Sequence, residues 1–451
     1  MIRLLSKRVI FLGLFIPMLT SVRAQGSSST DQSVVRFNLS QAIEVALSEN
    51  PTIKVADQEI ELKKEVNKEA YAGLFPEVSL SGSYSRTLKK QTMVMDFNGE
   101  TITTQMGTDN SYSGGVVVSL PVFAPALYKS INLTKTDIDL AVEKARSSRL
   151  DMINQVTKAY YQLLLTQDSY DVLLKSYNQA EANFDVVNAK FEQGVVSEYD
   201  KIRADVQVRS LKPSVVSARN GVNLAKLQLK VLMGISSDYP IDIIGNLKDY
   251  EMNLFANELD NKMLSLDQNT DLKQLDLNAK MLKQNLELQK TNFMPTLGAS
   301  FNYMYTSLNN DFKIGHYRWF PYSTAGLTLS IPIFTASNFP KIKQTKIQMR
   351  QLEENRLNTE RMLKMQTRSY LDNMAASAEQ VLSNKEGVLQ AEKGRLIAQK
   401  RYDIGNGTIL ELNDSEVALT EAQLTYNQSI YDYLVAKADL DQILGRGDIA
   451  E

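Results

Sequence analysis

Residues 125–194 read PALYKSINLTKTDIDLAVEKARSSRLDMINQVTKAYYQLLLTQDSYDVLLKSYNQAEANFDVVNAKFEQG. After the opening Pro125 no proline interrupts this stretch, and no glycine appears before Gly194. It therefore reads as one helix of roughly 65 residues, on the order of 100 Å long. Apolar side chains return at every seventh position, at Ile131, Ile138, Ala145, Met152, Ala159, Leu173, Ala180 and Val187, with Thr166 as the single break. A second row lies four residues on, at Val142, Val156, Leu163, Tyr170, Tyr177, Phe184 and Phe191, interrupted by Arg149. A straight helix would rotate such a row away by ~20° per heptad, so the rod must coil left-handedly around a partner.

The partner follows in the same chain. Gly194 closes the rod and Ser197 is placed to cap a second helix. That helix carries its own seam at Val208, Val215, Val222 and Leu229 with Leu211, Ala218, Ala225 and Leu232. Pro213 removes a helical hydrogen bond at a cost of ~3 kcal/mol, which predicts a kink near Leu211. The tyrosine-rich and methionine-rich rows read as packing for these coils.

The whole pattern is written twice. Leu120-Pro121-Val122-Phe123 returns as Ile331-Pro332-Ile333-Phe334, an offset of 211 (332 − 121), and the same offset carries Gly194 onto Gly405 and Gly234 onto Gly445. Upstream, Leu74-Phe75-Pro76 pairs with Phe293-Met294-Pro295, and Asn50 with Asn269, at an offset of 219 (295 − 76). The change of offset falls between Pro76 and Pro121, where a connecting loop tolerates a difference in length. In the second half, Leu419, Tyr426, Tyr433 and Leu440 hold the seam, while the helix from about Ser337 to Tyr402 is less regular.

Four segments alternate with period two. Val78, Leu80 and Tyr84 oppose Ser79, Ser81, Ser83 and Ser85; the partner segment runs from Tyr112 to Leu120. Leu297, Ala299, Phe301, Tyr303 and Tyr305 oppose Thr296, Ser300 and Asn302; Ala325, Leu327, Leu329 and Ile331 oppose Thr324, Thr328 and Ser330. Each has about the ten residues of a tilted strand crossing an outer membrane. Soluble hairpins share the pattern. In lipid every backbone donor and acceptor needs a partner, so a spanning sheet must close, and four strands cannot. Two copies give eight strands and a filled interior; three give twelve and a bore. The loops Lys89 to Ser111 and Asn309 to Arg318 then lie outside the cell, with His316 a solvated loop residue.

Composition narrows the function. Arg3, Lys7 and Arg8, the apolar run Val9 to Leu19 and Val22-Arg23-Ala24 read as an export signal over residues 1–24, too short for a spanning anchor. Among 451 residues there is no cysteine and one histidine, which leaves no disulfide framework, no metal cluster and no Cys/His or Ser-His-Asp machinery. A net charge of −2 with mixed signs argues against nucleic acid. No Gly-x-x-x-x-Gly-Lys loop is present, so any motor lies elsewhere. An envelope enzyme is disfavoured. Cofactors are not expected.

Together, the paired hairpins, the Pro121 and Pro332 strand-to-helix junctions and the glycine-centred tips resemble the TolC-like outer-membrane factors. The resemblance implies a mainly α fold with membrane β: a long coiled-coil barrel, and four strands per protomer in a shared twelve-stranded trimeric barrel. The implied divisions are a signal (1–24), a first repeat (25–234, β-hairpin 77–121, tip near 194), an equatorial linker (235–258), a second repeat (259–445, β-hairpin 296–332, tip near 405) and a tail (446–451). The N-terminal tail before Leu39 and the run Ile241-Asp242-Ile243-Ile244 would join an equatorial collar. It implies a homotrimer in the outer membrane with a long periplasmic extension, acting as the passive exit duct of a tripartite efflux or type I secretion system, with a periplasmic adaptor and an inner-membrane pump as partners. Glu411 and Asp414 would ring the constriction, and the tips around Gly194, Gly405 and Gly407 would meet the adaptor. In some of those relatives a locking arginine stands where this chain has Gly407; Asp200, the acid it would bind, is present, and Arg203 or Tyr402 is the candidate to replace it. The alternative is a trimeric coiled-coil adhesin or periplasmic spacer that conducts nothing.

Overall fold

The computed structural model describes residues 34–97, 99–253 and 265–447. The proposed signal 1–24, the last residues of the linker 235–258 and residues 448–451 of the tail lie outside the described residues. Seven helices carry the fold: α1 (Leu39–Glu49), α2 (Pro51–Ala72), α3 (Pro125–Glu192), α4 (Glu198–Met233), α5 (Thr270–Lys290), α6 (Asn338–Asp403) and α7 (Ile409–Ile443). The strands are β1 (Val35–Phe37), β2 (Glu77–Arg86), β3 (Gln91–Phe97), β4 (Glu100–Met106), β5 (Asn110–Phe123), β6 (Ile241–Ile243), β7 (Thr296–Asn309) and β8 (Phe320–Ser330). Among the described residues no helix is long and apolar enough to cross a membrane.

The rod α3 is one 68-residue helix. Its first seam packs as read, with Ile131, Ala145, Met152, Ala159, Ala180 and Val187 buried. The second row is buried at Val156 and Leu163, but Val142 faces out at 47% exposure and Arg149 turns away to pair with Asp57. Between Leu150 and Leu165 the rod is enclosed on nearly all sides, where α1, α4, α7 and the β1/β6 pair pack around it. Here Tyr160, fully buried, donates its hydroxyl to the carbonyls of Ile244 (2.6 Å) and Phe37 (3.3 Å). Strand β1 pairs in parallel with β6, so residues 35–37 and the linker run at Ile241 meet at this level. Helix α4 stays helical across Pro213.

The four period-two segments form one antiparallel sheet in the order β2-β5-β7-β8. Register aligns the faces across all four strands. Val78, Val118, Phe301 and Ala325 form one row, and Leu80, Val116 and Tyr303 another on the same side. The opposite side carries Ser79, Asn302 and Thr324, with hydrogen bonds between Ser83 and Ser113 (2.6 Å) and from Asn302 to Thr324 (3.2 Å). The outer edges of β2 and β8 pair with no other strand of the sheet. Residues 89–111, read as a loop, contain a two-stranded hairpin of β3 and β4 instead. Its strands mix threonine and methionine, and that weak alternation hid it.

The duplication is visible in matching bonds. Asn50 caps α2 by accepting from the Thr52 amide and donates to the Leu232 carbonyl (both 2.8 Å). Asn269 caps α5 from the Leu272 amide (3.0 Å) and donates to the Ile443 carbonyl (2.8 Å). Each bond ties the start of a short helix to the end of a long one. Gly234 and Gly445, at φ +69° and +70°, turn the chain there, and a Cβ on Gly234 would stand 2.9 Å from the Glu49 carbonyl.

Candidate functional site

The two tips, α3–α4 and α6–α7, pack against one another. Val187 and Ala204 from the first join Tyr402, Ile409 and Leu412 from the second in a small buried cluster of their own. Both turns pivot on left-handed glycines, Gly194 at φ +72° and Gly405 at +76°, which an L side chain would strain. After each, a hydroxyl caps the rising helix: Ser197 for α4 and Thr408 for α7.

The acids of the two tips are used differently. Asp200 completes a capping box, accepting from the Ser197 amide (3.2 Å) and hydroxyl (2.7 Å). Glu411 is free of that duty, and its carboxylate pairs with Arg401 at 3.4 Å, both half exposed. Asp414 is exposed. Arg401 also donates to the Asn406 carbonyl (3.1 Å), so it staples the turn as well as facing Glu411. Arg401, six residues upstream of Gly407, reaches Glu411 because the turn folds back, a pairing within the second tip that the sequence reading did not foresee; Asp200 instead bonds Ser197 on its own helix. A Cβ on Gly407 would come within 3.1 Å of Arg401 and Tyr402 backbone atoms, which explains a glycine here.

Of the residues named for a lock, Arg203 donates to Tyr199 on its own helix (2.6 Å). Tyr402 is buried at 8% exposure, its hydroxyl makes no hydrogen bond among the described residues, and the Lys190 ammonium stands 4.5 Å above its ring. Burial pushes the Tyr402 phenol above its usual range, and the charge of Asp200 adds to this.

At the other end, β5 runs past Pro121 to Phe123 with a register shift between them, and the helix opens on Pro125, so the first junction lies at Ala124. Pro125 suits the first helical turn because its missing N–H is an orphan there anyway. Pro332 lies in the connection between β8 and α6. Phe293, Phe334 and Phe339 stack at this level, with ring centroids 5.4 and 6.2 Å apart, and remain exposed. The helices leave the sheet in the order of its strands, α2, α3, α5 and α6 beneath β2, β5, β7 and β8, bridged by Lys63–Asp137 (3.0 Å), Lys280–Asp139 (3.6 Å) and Arg356–Asp276 (2.7 Å).

A sequence profile described as "Outer membrane efflux protein" matches residues 42–235 and 263–446, one match for each half. The chain is 22% identical over 448 residues to the outer membrane protein TolC of Escherichia coli K12, covering 95% of this chain and 86% of that protein. Its fold matches the crystal structure of the Campylobacter jejuni CmeC outer membrane channel with a TM-score of 0.69 at 19% identity, covering 90% of this chain and 85% of the other. The open state of the Neisseria gonorrhoeae MtrE outer membrane channel matches with a TM-score of 0.71 at 16% identity, covering 91% and 89%.

Proposed function

The chain belongs to the outer membrane efflux protein family and is an outer-membrane efflux channel, and from that premise we propose that it works as one third of a passive duct, closed and opened at its periplasmic tips. The observation that carries the assembly is the sheet with two open edges. A membrane sheet cannot leave a strand edge in lipid, so β8 of one copy pairs with β2 of the next. Three copies close a twelve-stranded cylinder whose polar rows of serine, threonine and asparagine line the bore. The helices beneath follow the same order and prolong the cylinder into the periplasm.

The chain supplies the conduit and the energy comes from elsewhere. A periplasmic adaptor seats on the tips around Gly194, Gly405 and Gly407, and an inner-membrane pump delivers the cargo. Glu411 and Asp414, three residues apart on the first turns of α7, stand in threefold rings where the bore narrows. There their summed negative potential favours cations. The Pro121 and Pro332 segments carry the strands into the helical cylinder.

Planar-bilayer recording of the purified protein, with mass determination in detergent, tests this reading. The expected result is a trimer giving discrete cation-selective channels, with selectivity reduced in the Glu411→Ala/Asp414→Ala variant. A monomer, or a trimer that conducts nothing, would return the chain to the class of coiled-coil spacers; unchanged selectivity would remove the two acids from the gate.

A further inference from the structure

Among the described residues Glu416 is the one buried charged residue, at 5% exposure. It sits about two turns into α7, in the seam where the α6–α7 hairpin meets α3. Asn183 on α3, itself buried, donates to its carboxylate at 2.9 Å and accepts in turn from Gln179 (3.2 Å). The nearest cation, Arg395 on α6, stands 4.0 Å away and is partly exposed. One neutral hydrogen bond and one distant guanidinium are thin compensation for a carboxylate taken out of water.

The duplication shows that this arrangement is not inherited from the repeat. At the offset of 211, Glu416 corresponds to Asp205, which is partly exposed and pairs with Arg209 on its own helix at 2.7 Å. Asn183 corresponds to Gly394, which has no side chain to offer and open space around it. The buried acid and its amide stand in one half only. They join the two hairpins of one protomer, just above the tips.

Beside the carboxylate lies a cavity of ≈ 270 Å³ lined by Lys175 and Gln179 of α3, Glu392 and Arg395 of α6, and Glu416 and Thr420 of α7. Polar side chains share its lining with Val172, Leu396 and Leu419, and it is large enough for water, which gives the carboxylate a route to solvent and a second set of partners. Lys175 and Arg395 would receive the ionised group if the hairpins part; Glu392 is the opposing charge.

We propose that Glu416 is a proton-responsive latch between the two helical hairpins: in its neutral form it stays against Asn183 and holds the tips together, and in its ionised form it favours their separation toward the cavity. This rests on the reading of the tips as the gate. Burial raises the Glu416 carboxyl above its usual range, more than Asn183 and Arg395 lower it. An acid whose proton affinity is higher in the packed arrangement favours that arrangement as pH falls, and loosens it as pH rises through the raised value.

Two measurements on the full-length protein test the latch. In planar bilayers, conductance should fall at least about threefold as pH is lowered across the carboxylate range. That component should survive in Glu411→Ala/Asp414→Ala and vanish in Glu416→Gln, which should be low-conducting at all pH values. Hydrogen exchange of the segments 179–187 and 412–420, corrected for intrinsic rates, reads the same latch without conduction. Protection should rise on acidification in the natural chain and be high and pH-independent in Glu416→Gln. Channels whose pH response is unchanged by Glu416→Gln, or exchange that is identical in the two proteins, would overturn the latch. Absence of any conductance with the exchange pattern intact would overturn the duct reading alone.

Discussion

Replacing Asn269 by alanine should open the junction between α5 and α7 selectively. The side chain, 3% exposed, makes two bonds: it accepts from the Leu272 amide at 3.0 Å and donates to the Ile443 carbonyl at 2.8 Å. Loss of an N-cap costs about 1 kcal/mol, and the second bond contributes about 1 kcal/mol, rising toward 2 if the Ile443 carbonyl finds no water. The sum, about 2–3 kcal/mol, corresponds to roughly 30- to 150-fold faster local opening, since about 1.4 kcal/mol is a factor of ten. Hydrogen exchange of peptides covering 270–275 and 440–445, in the purified protein, should show that acceleration. Peptides around Asn50 and Leu232, in the other half, should not change, because distant sites act independently. Asn269→Ser should recover about half of the loss, because its hydroxyl can cap α5 but cannot reach Ile443. Acceleration below about threefold in the alanine variant, or a serine variant indistinguishable from it, refutes the assignment of the two bonds.

Gly407→Arg should displace the turn and break the Arg401 staple, because even a Cβ there meets Arg401 and Tyr402 at 3.0–3.1 Å; limited proteolysis should cut near 402–408 faster than in the natural chain. Gly234→Ala should lose about 1–2 kcal/mol from the left-handed backbone alone, with the Glu49 contact adding to it, whereas Gly221→Ala, mid-helix in open space, should gain about 0.5–1 kcal/mol; thermal melts of the two variants should move in opposite directions. Glu251 ties the linker to the second hairpin, accepting from Lys385 and from the Tyr426 hydroxyl at 2.7 Å each. The Lys385 bond leads in holding its carboxyl below the ordinary value, so its stabilisation is full above the unfolded-state value and is lost as pH falls through the folded one. Because Lys385 is half exposed, Lys385→Met should cost no more than about 1 kcal/mol at neutral pH, and the difference between variant and natural chain in a thermal melt should shrink in acid.

The rods, tips and sheet were legible because each is set by a short-range period. Seven-residue spacing located the α3 and α4 seams, and Ser197 announced its helix through a local hydroxyl-to-amide bond. The α6 seam escaped for a chemical reason. Between Leu363 and Val381 its buried positions run Leu363, Thr367, Met374, Ser377 and Val381, with two hydroxyls on that part of the inner stripe. Thr367 satisfies its hydroxyl on the Leu363 carbonyl at 2.8 Å, so burial there needs no apolar residue. The Tyr160 bonds to Phe37 and Ile244 join segments 123 and 84 residues apart, and no local pattern reports such a meeting. Glu416 was hidden for the same reason: in sequence it is one more acid on a polar helix, and only the approach of Asn183 from 233 residues away makes it a buried group.

The repeat explains why one contact and not its mate became the specialised one. Two halves that follow one plan, joined edge to edge three times over, would make six nearly equivalent hairpins around the periplasmic cylinder. Contacts between hairpins then fall into two kinds, those within a protomer and those between protomers. Within the protomer, α3 meets α7 through the Ser176–Thr420 bond (3.0 Å) and the Asn183–Glu416 bond (2.9 Å). At the repeat-related meeting that the proposed trimer would create between α6 of one copy and α4 of the next, Gly394 would stand in place of Asn183, and Asp205 is already paired on its own helix. The contact within a chain therefore carries a side-chain bond that the repeat-related contact cannot make. In the proposed trimer such a cylinder would have two unequal sets of seams, and the seam within each protomer, which carries the Asn183–Glu416 bond, is the one whose strength would follow the protonation of Glu416.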